Sequence, residues 1–165
     1  MCTKSRAQIG NATMPRDYAS TNASINALTA GEADQIANMA TIACELFQTM
    51  DGFDWVGFYR VTEPGMLTIG PYQGTHGCLT IPFSRGVCGA CATAQKTIIV
   101  PDVDAFPGHI ACASSTRSEI VLPVFDQSKT LIAVLDVDSN SPDAFDTTDA
   151  AELENMLNRV FTTSP

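Results

Sequence analysis

Residues 118–137, SEIVLPVFDQSKTLIAVLDV, contain two apolar runs separated by a short polar segment. Runs of this length that are rich in Val, Ile and Leu are typical of buried strands, and the polar segment 126–129 is typical of the turn between them. We therefore expect a β-hairpin with strands at 118–125 and 130–137. Both strands should lie in the core.

A second hairpin is predicted upstream. Residues 55–61, WVGFYRV, are strand-like, Glu-Pro-Gly at 63–65 forms a turn, and a new strand begins at 66–69. Two further short strands are expected at 78–81 and 97–100.

Helices are expected at both ends of the chain. Residues 16–28 are weakly helical, and Thr29 and Glu32 have the spacing of a capping box that would start a second helix. Asp146 is the expected N-cap of a last helix, whose apolar residues recur at helical spacing over 153–161. Between the short strands, 86–94 is expected to be a loop running into a helix of small residues.

This arrangement predicts an α+β fold with a central antiparallel sheet. The N- and C-terminal helices should cover one sheet face, and the active-site loops should lie on the other. The 165 residues suit a single domain. We expect a flexible tail at 1–15 and one folded domain over 16–165.

Composition excludes several classes of partner. The chain has 18 Asp and Glu against 9 Lys and Arg, a formal charge of -9, and its basic residues are scattered, so nucleic acid is not an expected partner. No apolar stretch approaches the roughly 18 residues of a membrane span. The first fifteen residues lack the apolar run of a signal peptide, which favours a cytoplasmic protein. The oligomeric state stays open, a homodimer included.

The six cysteines are the unusual feature of the composition. In a cytoplasmic domain with an adequate core they are expected to be reduced, so that clustered thiols indicate catalysis, redox exchange or metal binding. Four of the six, Cys78, Cys88, Cys91 and Cys112, fall within 35 consecutive positions. The chemistry is therefore expected in this segment.

Cys112 is the candidate nucleophile. It lies in a polar loop directly before a strong strand, where His109 or Arg117 could stabilise a thiolate; a solvated or half-buried bystander is the alternative. Cys78 and Cys88 flank a short strand, and either could condense with a sulfenic acid on Cys112 to give a disulfide. Cys88 could equally be packed as a small apolar residue.

A zinc site is the sharpest competing interpretation of these cysteines. Cys88 and Cys91 form a C-x-x-C pair, with His76 and Cys78 upstream. A zinc deaminase would need Glu two residues after the histidine and Pro before the first cysteine of the pair, whereas Cys78 and Val87 stand there. A thioredoxin-like site would need a βαβ pattern, which is missing. We expect no metal and a packing role for Cys91.

Acidic residues inside apolar strands are the second unusual feature. Asp136 and Asp138, two positions apart, should point to the same sheet face, and Glu119 interrupts the preceding strand. Buried carboxylates need a partner or a function, although an exposed edge strand would explain them more simply. Trp55 and Tyr59 also share a face, where core packing is their ordinary role.

Five segments together resemble the free methionine-(R)-sulfoxide reductases, a catalytic branch of the GAF-domain fold. They are WVGFY at 55–59, IPFSRGVCG at 81–89, VPDVDAFPGHIAC at 100–112, RSEIVLP at 117–123 and LDVDS at 135–139. The resemblance extends over about 17–161. The cysteine spacing and the run PGHIAC are its most specific features.

The resemblance implies a role for each candidate site residue. Cys112 would be the nucleophile, and Cys78 and Cys88 the other two family cysteines, with Cys78 favoured as the resolving residue and Cys88 as the alternative. The substrate-binding residues would be an acidic cluster of Glu119, Asp136 and Asp138 and an aromatic wall of Trp55 and Tyr59. The segment 101–110 would be a lid. Cys91 and Ala113 depart from the family, which more often has a small non-thiol residue and an acidic residue there.

The implied reaction is reduction of free methionine-(R)-sulfoxide to methionine. It would pass through a sulfenic acid and an intramolecular disulfide that a thioredoxin-type reductant reopens. No cofactor is expected. The alternative is a regulatory GAF module that binds a small ligand without turnover.

Overall fold

The computed structural model describes residues 16–108 and 114–162. Within these ranges the α-helices are α1 (Tyr18–Leu28), α2 (Gln35–Thr49), α3 (Gly86–Ala94) and α4 (Thr147–Phe161). The strands are β1 (Trp55–Glu63), β2 (Met66–Gln73), β3 (Thr80–Pro82), β4 (Ile98–Val100), β5 (Ser118–Phe125) and β6 (Leu131–Ser139). A single 3-10 turn spans Val103–Ala105.

The six described strands form one antiparallel sheet in the order β3-β2-β1-β6-β5-β4. Both predicted hairpins are present, as β1–β2 and β5–β6. The two hairpins meet through β1 and β6, so that the longest strands occupy the centre of the sheet. The predicted α+β architecture is confirmed.

One sheet face packs against α2 and α4, and α1 packs on these two helices within the same buried cluster. Alternate residues of the central strands point into this core, among them Phe58, Leu122 and Leu135, each fully buried. The other face carries a second buried cluster, in which Val87, Cys91 and Ala92 of α3 pack on the sheet. The second face is therefore covered by a helix as well as by loops.

Two helix starts test the capping predictions. Asp146 caps α4 as expected, and its side chain accepts hydrogen bonds from the backbone N–H of Thr148 and Asp149. The prediction that Thr29 and Glu32 begin the second helix is wrong. Thr29 is the C-cap of α1, and the Asp34 carboxylate caps α2 by accepting from the N–H of Ile36. An ionised Asp is at least as good an N-cap as Thr.

None of the helices in the described ranges is long and apolar enough to cross a membrane.

Candidate active site

Strand register brings the predicted acidic and aromatic residues to one sheet face. Glu119 pairs with Asp138 across β5 and β6, and Asp138 pairs in turn with Trp55 across β6 and β1. Directly paired residues point to the same side of a sheet, as do residues two apart along a strand. Asp136 and Tyr59 therefore lie on that side as well. It is the face that packs against α3.

Three aromatic rings line one end of this face. The rings of Trp55 and Tyr59 stack with centroids 5.9 Å apart, and those of Trp55 and Tyr72 with centroids 5.5 Å apart. The Trp55 indole N–H donates to the carbonyl of Thr75 at 2.9 Å. Gly57 makes the stack possible, because a Cβ at this position would lie 2.4 Å from the Trp55 ring and 2.6 Å from the Tyr72 Cβ. We call Trp55, Tyr59 and Tyr72 the aromatic wall.

A thiol lies against the carboxyl groups at the start of α3. Cys88 Sγ donates to Asp136 Oδ2 at 3.3 Å. One carboxylate oxygen of Glu119, one of Asp136 and the Cys88 sulfur all lie within 4.8 Å of one another. The three side chains are buried, with exposed fractions of 3% for Cys88, 5% for Glu119 and 7% for Asp136. We call these three residues the thiol–carboxyl cluster.

Burial and crowding disfavour ionisation throughout the site. Burial raises the pKa of Asp136 well above its usual range, and the neighbouring Glu119 raises it further. Burial and Asp138 raise the pKa of Glu119 in the same way. Burial also raises the pKa of the Cys88 thiol, with Asp136 as the next cause. These carboxyl and thiol groups are therefore protonated to a greater extent than the same side chains would be in water.

Asp138 extends the acidic surface toward solvent. It is less buried than Asp136, and its pKa is raised by burial and by the charge of Asp136. A hydrogen bond from the Thr116 side chain acts in the opposite direction. The Thr116 hydrogen bond therefore stabilises the ionised form of Asp138.

The described cysteines differ in redox state. Cys78 is disulfide-bonded, whereas Cys44, Cys88 and Cys91 are free thiols. Cys112 and His109 lie outside the described residues. Arg117, the other predicted cation, has a half-exposed side chain, and its guanidinium lies 3.9 Å from the Asp104 carboxylate.

Comparison with known proteins identifies the family. A GAF-domain family model matches residues 33–160. The chain is 43% identical over 150 residues to GAF domain-containing protein A of Dictyostelium discoideum, covering 91% of this chain and 94% of the relative. It is 38% identical to the free methionine-R-sulfoxide reductase of Escherichia coli, covering 85% and 84%.

Solved structures agree with these relatives. The free methionine-R-sulfoxide reductase of Neisseria meningitidis, determined in complex with its substrate, is 41% identical and superposes with a TM-score of 0.84 over 93% of this chain and 92% of that chain. The chain belongs to the free methionine-R-sulfoxide reductase family. The resemblance seen in its five sequence segments is thereby confirmed.

For this reductase family member, the structure brings together six of the predicted site residues, five on one sheet face and Cys88 of α3 against Asp136. Glu119, Asp136, Asp138, Trp55 and Tyr59 share one face, and β6 lies at the centre of the sheet rather than at an edge. The simpler explanation of exposed carboxylates on an edge strand therefore does not apply.

Within the described ranges, the C-x-x-C pair as a whole is not part of a group with metal-binding spacing. The one group of His, Cys, Asp and Glu found there with metal-binding spacing is the thiol–carboxyl cluster, which includes neither Cys91 nor His76. Cys91 is fully buried, and its Sγ lies 3.6 Å from the carbonyl oxygen of Val121. Burial raises the pKa of its thiol to about 12.

Sequence reasoning missed two residues of the candidate site. Tyr72 lies on β2 and completes the aromatic wall, and Thr116 supports Asp138 from the segment before β5. Tyr72 had no signal in the alternation of β2, which leads from Ile69 to Pro71; a register shift between β1 and β2 brings Tyr72 to this face. The sequence gives no signal for Thr116 either, because its contact with Asp138 depends on the tertiary position of the segment before β5.

A groove of about 890 Å³ lies elsewhere on the reductase. It is bordered by the α1–α2 connection, the β5–β6 turn and the end of α4, and contains none of the thiols or site carboxyls. The side chains of the candidate site are packed beneath α3.

Proposed function

We propose that this chain reduces free methionine-(R)-sulfoxide to methionine, with Cys112 as the nucleophile and Cys78 as the resolving cysteine. The observation that carries the proposal is the convergence of Glu119, Asp136 and Asp138 beside an aromatic wall, in a chain whose relatives include free methionine-R-sulfoxide reductases.

The acidic residues suit an amino acid with a free ammonium group. Three crowded carboxyls on a mostly apolar face are costly to ionise, and an ammonium placed among them would offset that cost through charge-assisted hydrogen bonds. The aromatic wall would contact the apolar part of the substrate. Such a pocket favours a free amino acid over a methionine sulfoxide within a protein.

The carboxyls also suit proton transfer. Attack by a thiolate on the sulfoxide sulfur requires that the oxygen receive a proton as the sulfur–oxygen bond breaks. A carboxyl whose pKa is raised by burial is protonated near neutral pH and can donate that proton. Either Asp136 or Glu119 meets this requirement.

The proposed reaction has three steps. The Cys112 thiol and the sulfoxide give a Cys112 sulfenic acid and methionine, so the oxygen moves from the substrate to the protein sulfur. The Cys78 thiol then attacks the sulfenic acid sulfur, which forms a disulfide and releases water. A thioredoxin-type dithiol reduces the disulfide by exchange and is itself oxidised.

Two observations favour Cys78 over Cys88 as the resolving residue. Cys78 is disulfide-bonded, whereas Cys88 is a free thiol. Cys88 is only 3% exposed, and its thiol pKa is raised by burial and by Asp136, so its thiolate would be a scarce nucleophile. Cys88 remains the alternative.

The segment before Cys112 is proposed to be a lid. Val103 belongs to the buried apolar cluster between α3 and the sheet, and Phe106 packs against that cluster. The backbone N–H of Gly86 donates to the carbonyl of Gly108 at 3.2 Å. The described part of this segment therefore extends to the start of α3, next to Cys88.

A cytoplasmic location is also proposed, because the cycle needs a reducing partner and leaves several thiols free.

The decisive experiment measures methionine formed from each sulfoxide epimer by purified protein with dithiothreitol. We expect turnover of the R epimer alone, and none with Cys112→Ser. Near-normal activity of Cys112→Ser would remove Cys112 from the mechanism. If the protein were instead a GAF module that only binds a ligand, titration of free thiols before and after exposure to methionine sulfoxide would show no loss.

A further inference from the structure

The thiol–carboxyl cluster offers ligands of mixed type at close range. Cys88 comes from α3, Glu119 from β5 and Asp136 from β6, and their three ligand atoms lie within 4.8 Å of one another. The cluster is more than a group of acidic residues, because its third member is a thiol held 3.3 Å from an Asp136 oxygen.

A second observation indicates that the cluster can accept a further partner. Asp136 is only 7% exposed, yet its Oδ1 has no hydrogen-bond partner within the described part of the chain. A buried carboxylate oxygen without a partner is costly, and in most proteins such an atom is satisfied by a donor or a metal ion.

The donor set selects one class of metal. Thiolate combined with carboxylate suits zinc and similar borderline ions, whereas magnesium and calcium prefer six or more oxygen ligands. In a tetrahedral zinc site with bonds of about 2.3 Å to sulfur and about 2.1 Å to oxygen, the ligand atoms lie about 3.5 Å apart. The Cys88–Asp136 distance of 3.3 Å matches that spacing, and the Glu119 oxygen lies within 4.8 Å of both atoms, so side-chain movement would complete the site.

We propose that Cys88, Glu119 and Asp136 form a reversible zinc site in the reduced protein, and that zinc bound there inhibits the reductase. Zinc binding forms a sulfur–zinc bond and releases the Cys88 proton to solvent, with no change of oxidation state. The fourth coordination position is left to water. The metal is an inhibitor and takes no part in sulfoxide reduction.

Inhibition follows because zinc and substrate need the same carboxyls. This part rests on the proposed function, in which the substrate ammonium lies among Glu119, Asp136 and Asp138. A divalent cation held by two of them would exclude a second cation by charge and by volume. Zinc should therefore raise KM for methionine sulfoxide and leave kcat unchanged at saturating substrate.

The test measures metal binding directly, without substrate, on the full chain reduced with a phosphine. Zinc chloride is titrated by calorimetry, and cobalt chloride is followed by thiolate-to-metal charge-transfer absorption. We expect one tight zinc per chain and a cobalt–thiolate band. Cys88→Ser should lose the band and weaken zinc binding by at least about tenfold, because it removes the softest ligand.

Two further variants keep the outcome clear. Asp136→Asn should weaken zinc binding while keeping the cobalt–thiolate band, which tests the site even if Cys88→Ser does not fold. Cys91→Ser is the matched control, since it removes another buried thiol of α3 outside the cluster, and it should bind zinc like the wild type. Magnesium chloride should give no heat beyond dilution.

Three results would overturn the proposal. They are no zinc binding by the reduced protein, a cobalt–thiolate band that persists in Cys88→Ser, and unchanged zinc affinity in Asp136→Asn. Because none of these measurements uses substrate, they are independent of the proposed reaction. A protein that binds zinc in this way but forms no methionine would refute the reaction and leave the zinc site in place.

Discussion

Asp136 illustrates at the scale of one residue how a functional site can lower stability. Its carboxyl is buried beside Glu119, with one oxygen unpartnered within the described residues. Evolution tolerates such residues where activity needs them, and substitution then commonly increases stability. Asp136 is thus a position where stability and activity are expected to oppose each other.

Asp136→Asn should therefore stabilise the protein at neutral pH. The pKa of Asp136 is raised in the folded state, so above the ordinary Asp pKa of about 3.9 the folded protein binds more protons than the unfolded chain, and stability falls as pH rises. Asp136→Asn has no ionisable group at this position, so it does not lose this stability as pH rises, and its amide N–H can donate toward Glu119. The gain should be about 1.4 kcal/mol for each unit by which the pKa is raised.

Urea unfolding of both proteins at several pH values between about 4 and 8 measures this effect. The difference in unfolding free energy should shrink on acidification, as the wild-type carboxyl becomes protonated in the unfolded chain too. Asp143→Asn, at an exposed turn position, is the control and should change little. Equal stability of wild type and Asp136→Asn at neutral pH would contradict the prediction.

Replacement of Cys78 and replacement of Cys88 should have clearly different effects on turnover. Cys78→Ser should still form one methionine per chain in a single turnover but lose cycling with a thioredoxin-type reductant, because its sulfenic acid has no resolving thiol. Cys88→Ser should keep that cycling. Methionine release is measured with and without the reductant, and Cys44→Ser, a thiol of α2, is the control. The reverse pattern would move the resolving role to Cys88.

The N-terminus of α4 shows at the scale of an element how a buried ion pair joins helices. Asp149 completes the capping box with Asp146, accepts from the Tyr18 hydroxyl at 2.7 Å and pairs with the Arg16 guanidinium at 2.6 Å. Arg16 also stacks over the rings of Phe53 and Phe145. These contacts connect the residues at the start of α1 to α4.

Asp149→Asn should destabilise the domain by about 3 kcal/mol, because removing one charge of a buried pair leaves the other uncompensated. The contrast is Asp104→Asn. Asp104 pairs with Arg117 at 3.9 Å across an exposed surface, so its loss should cost less than about 1 kcal/mol. Both are measured by urea unfolding, and similar costs for the two variants would count against a structural role for the buried pair.

Strand β1 depends on Gly57 for the shape of the aromatic wall. Gly57→Ala would place a methyl group within 2.4 Å of the Trp55 ring, so the ring must move, at a cost of about 1–3 kcal/mol. We expect altered Trp55 fluorescence and a raised KM for methionine sulfoxide. Val56→Ala, on the opposite face, should lower stability without changing KM. An unchanged KM in Gly57→Ala would exclude the wall from substrate binding.

The whole molecule forms the pocket that we propose to select the substrate. Acidic residues from β5 and β6, rings from β1 and β2 and the start of α3 all converge on one face. In the proposed pocket, a free amino acid would bring an ammonium to the carboxyls, whereas an N-acylated one would bring a neutral amide and extra volume beneath the proposed lid.

N-acetyl-methionine sulfoxide should therefore be a very poor substrate. Sites built around buried polar groups reject analogues that lack the matching group by on the order of 10⁴-fold in favourable cases. Comparison of kcat/KM for the free and acetylated R epimers tests this. The methyl ester, which keeps the ammonium and lacks only the carboxylate charge, is the control and should lose less. Equal kcat/KM for free and acetylated substrate would refute the assignment of the acidic pocket.

The sequence alone determined the parts of this protein that depend on local pattern. Alternation and turn residues identify both hairpins, and acidic residues in apolar strands stand out because their burial is costly. The tertiary structure decided which strands are neighbours. Placing β6 between β1 and β5 sets Asp138 opposite both Trp55 and Glu119, and α3 then brings Cys88 to Asp136. Pairing between strands that are distant in the chain depends on packing between residues far apart in sequence, which local sequence patterns do not specify.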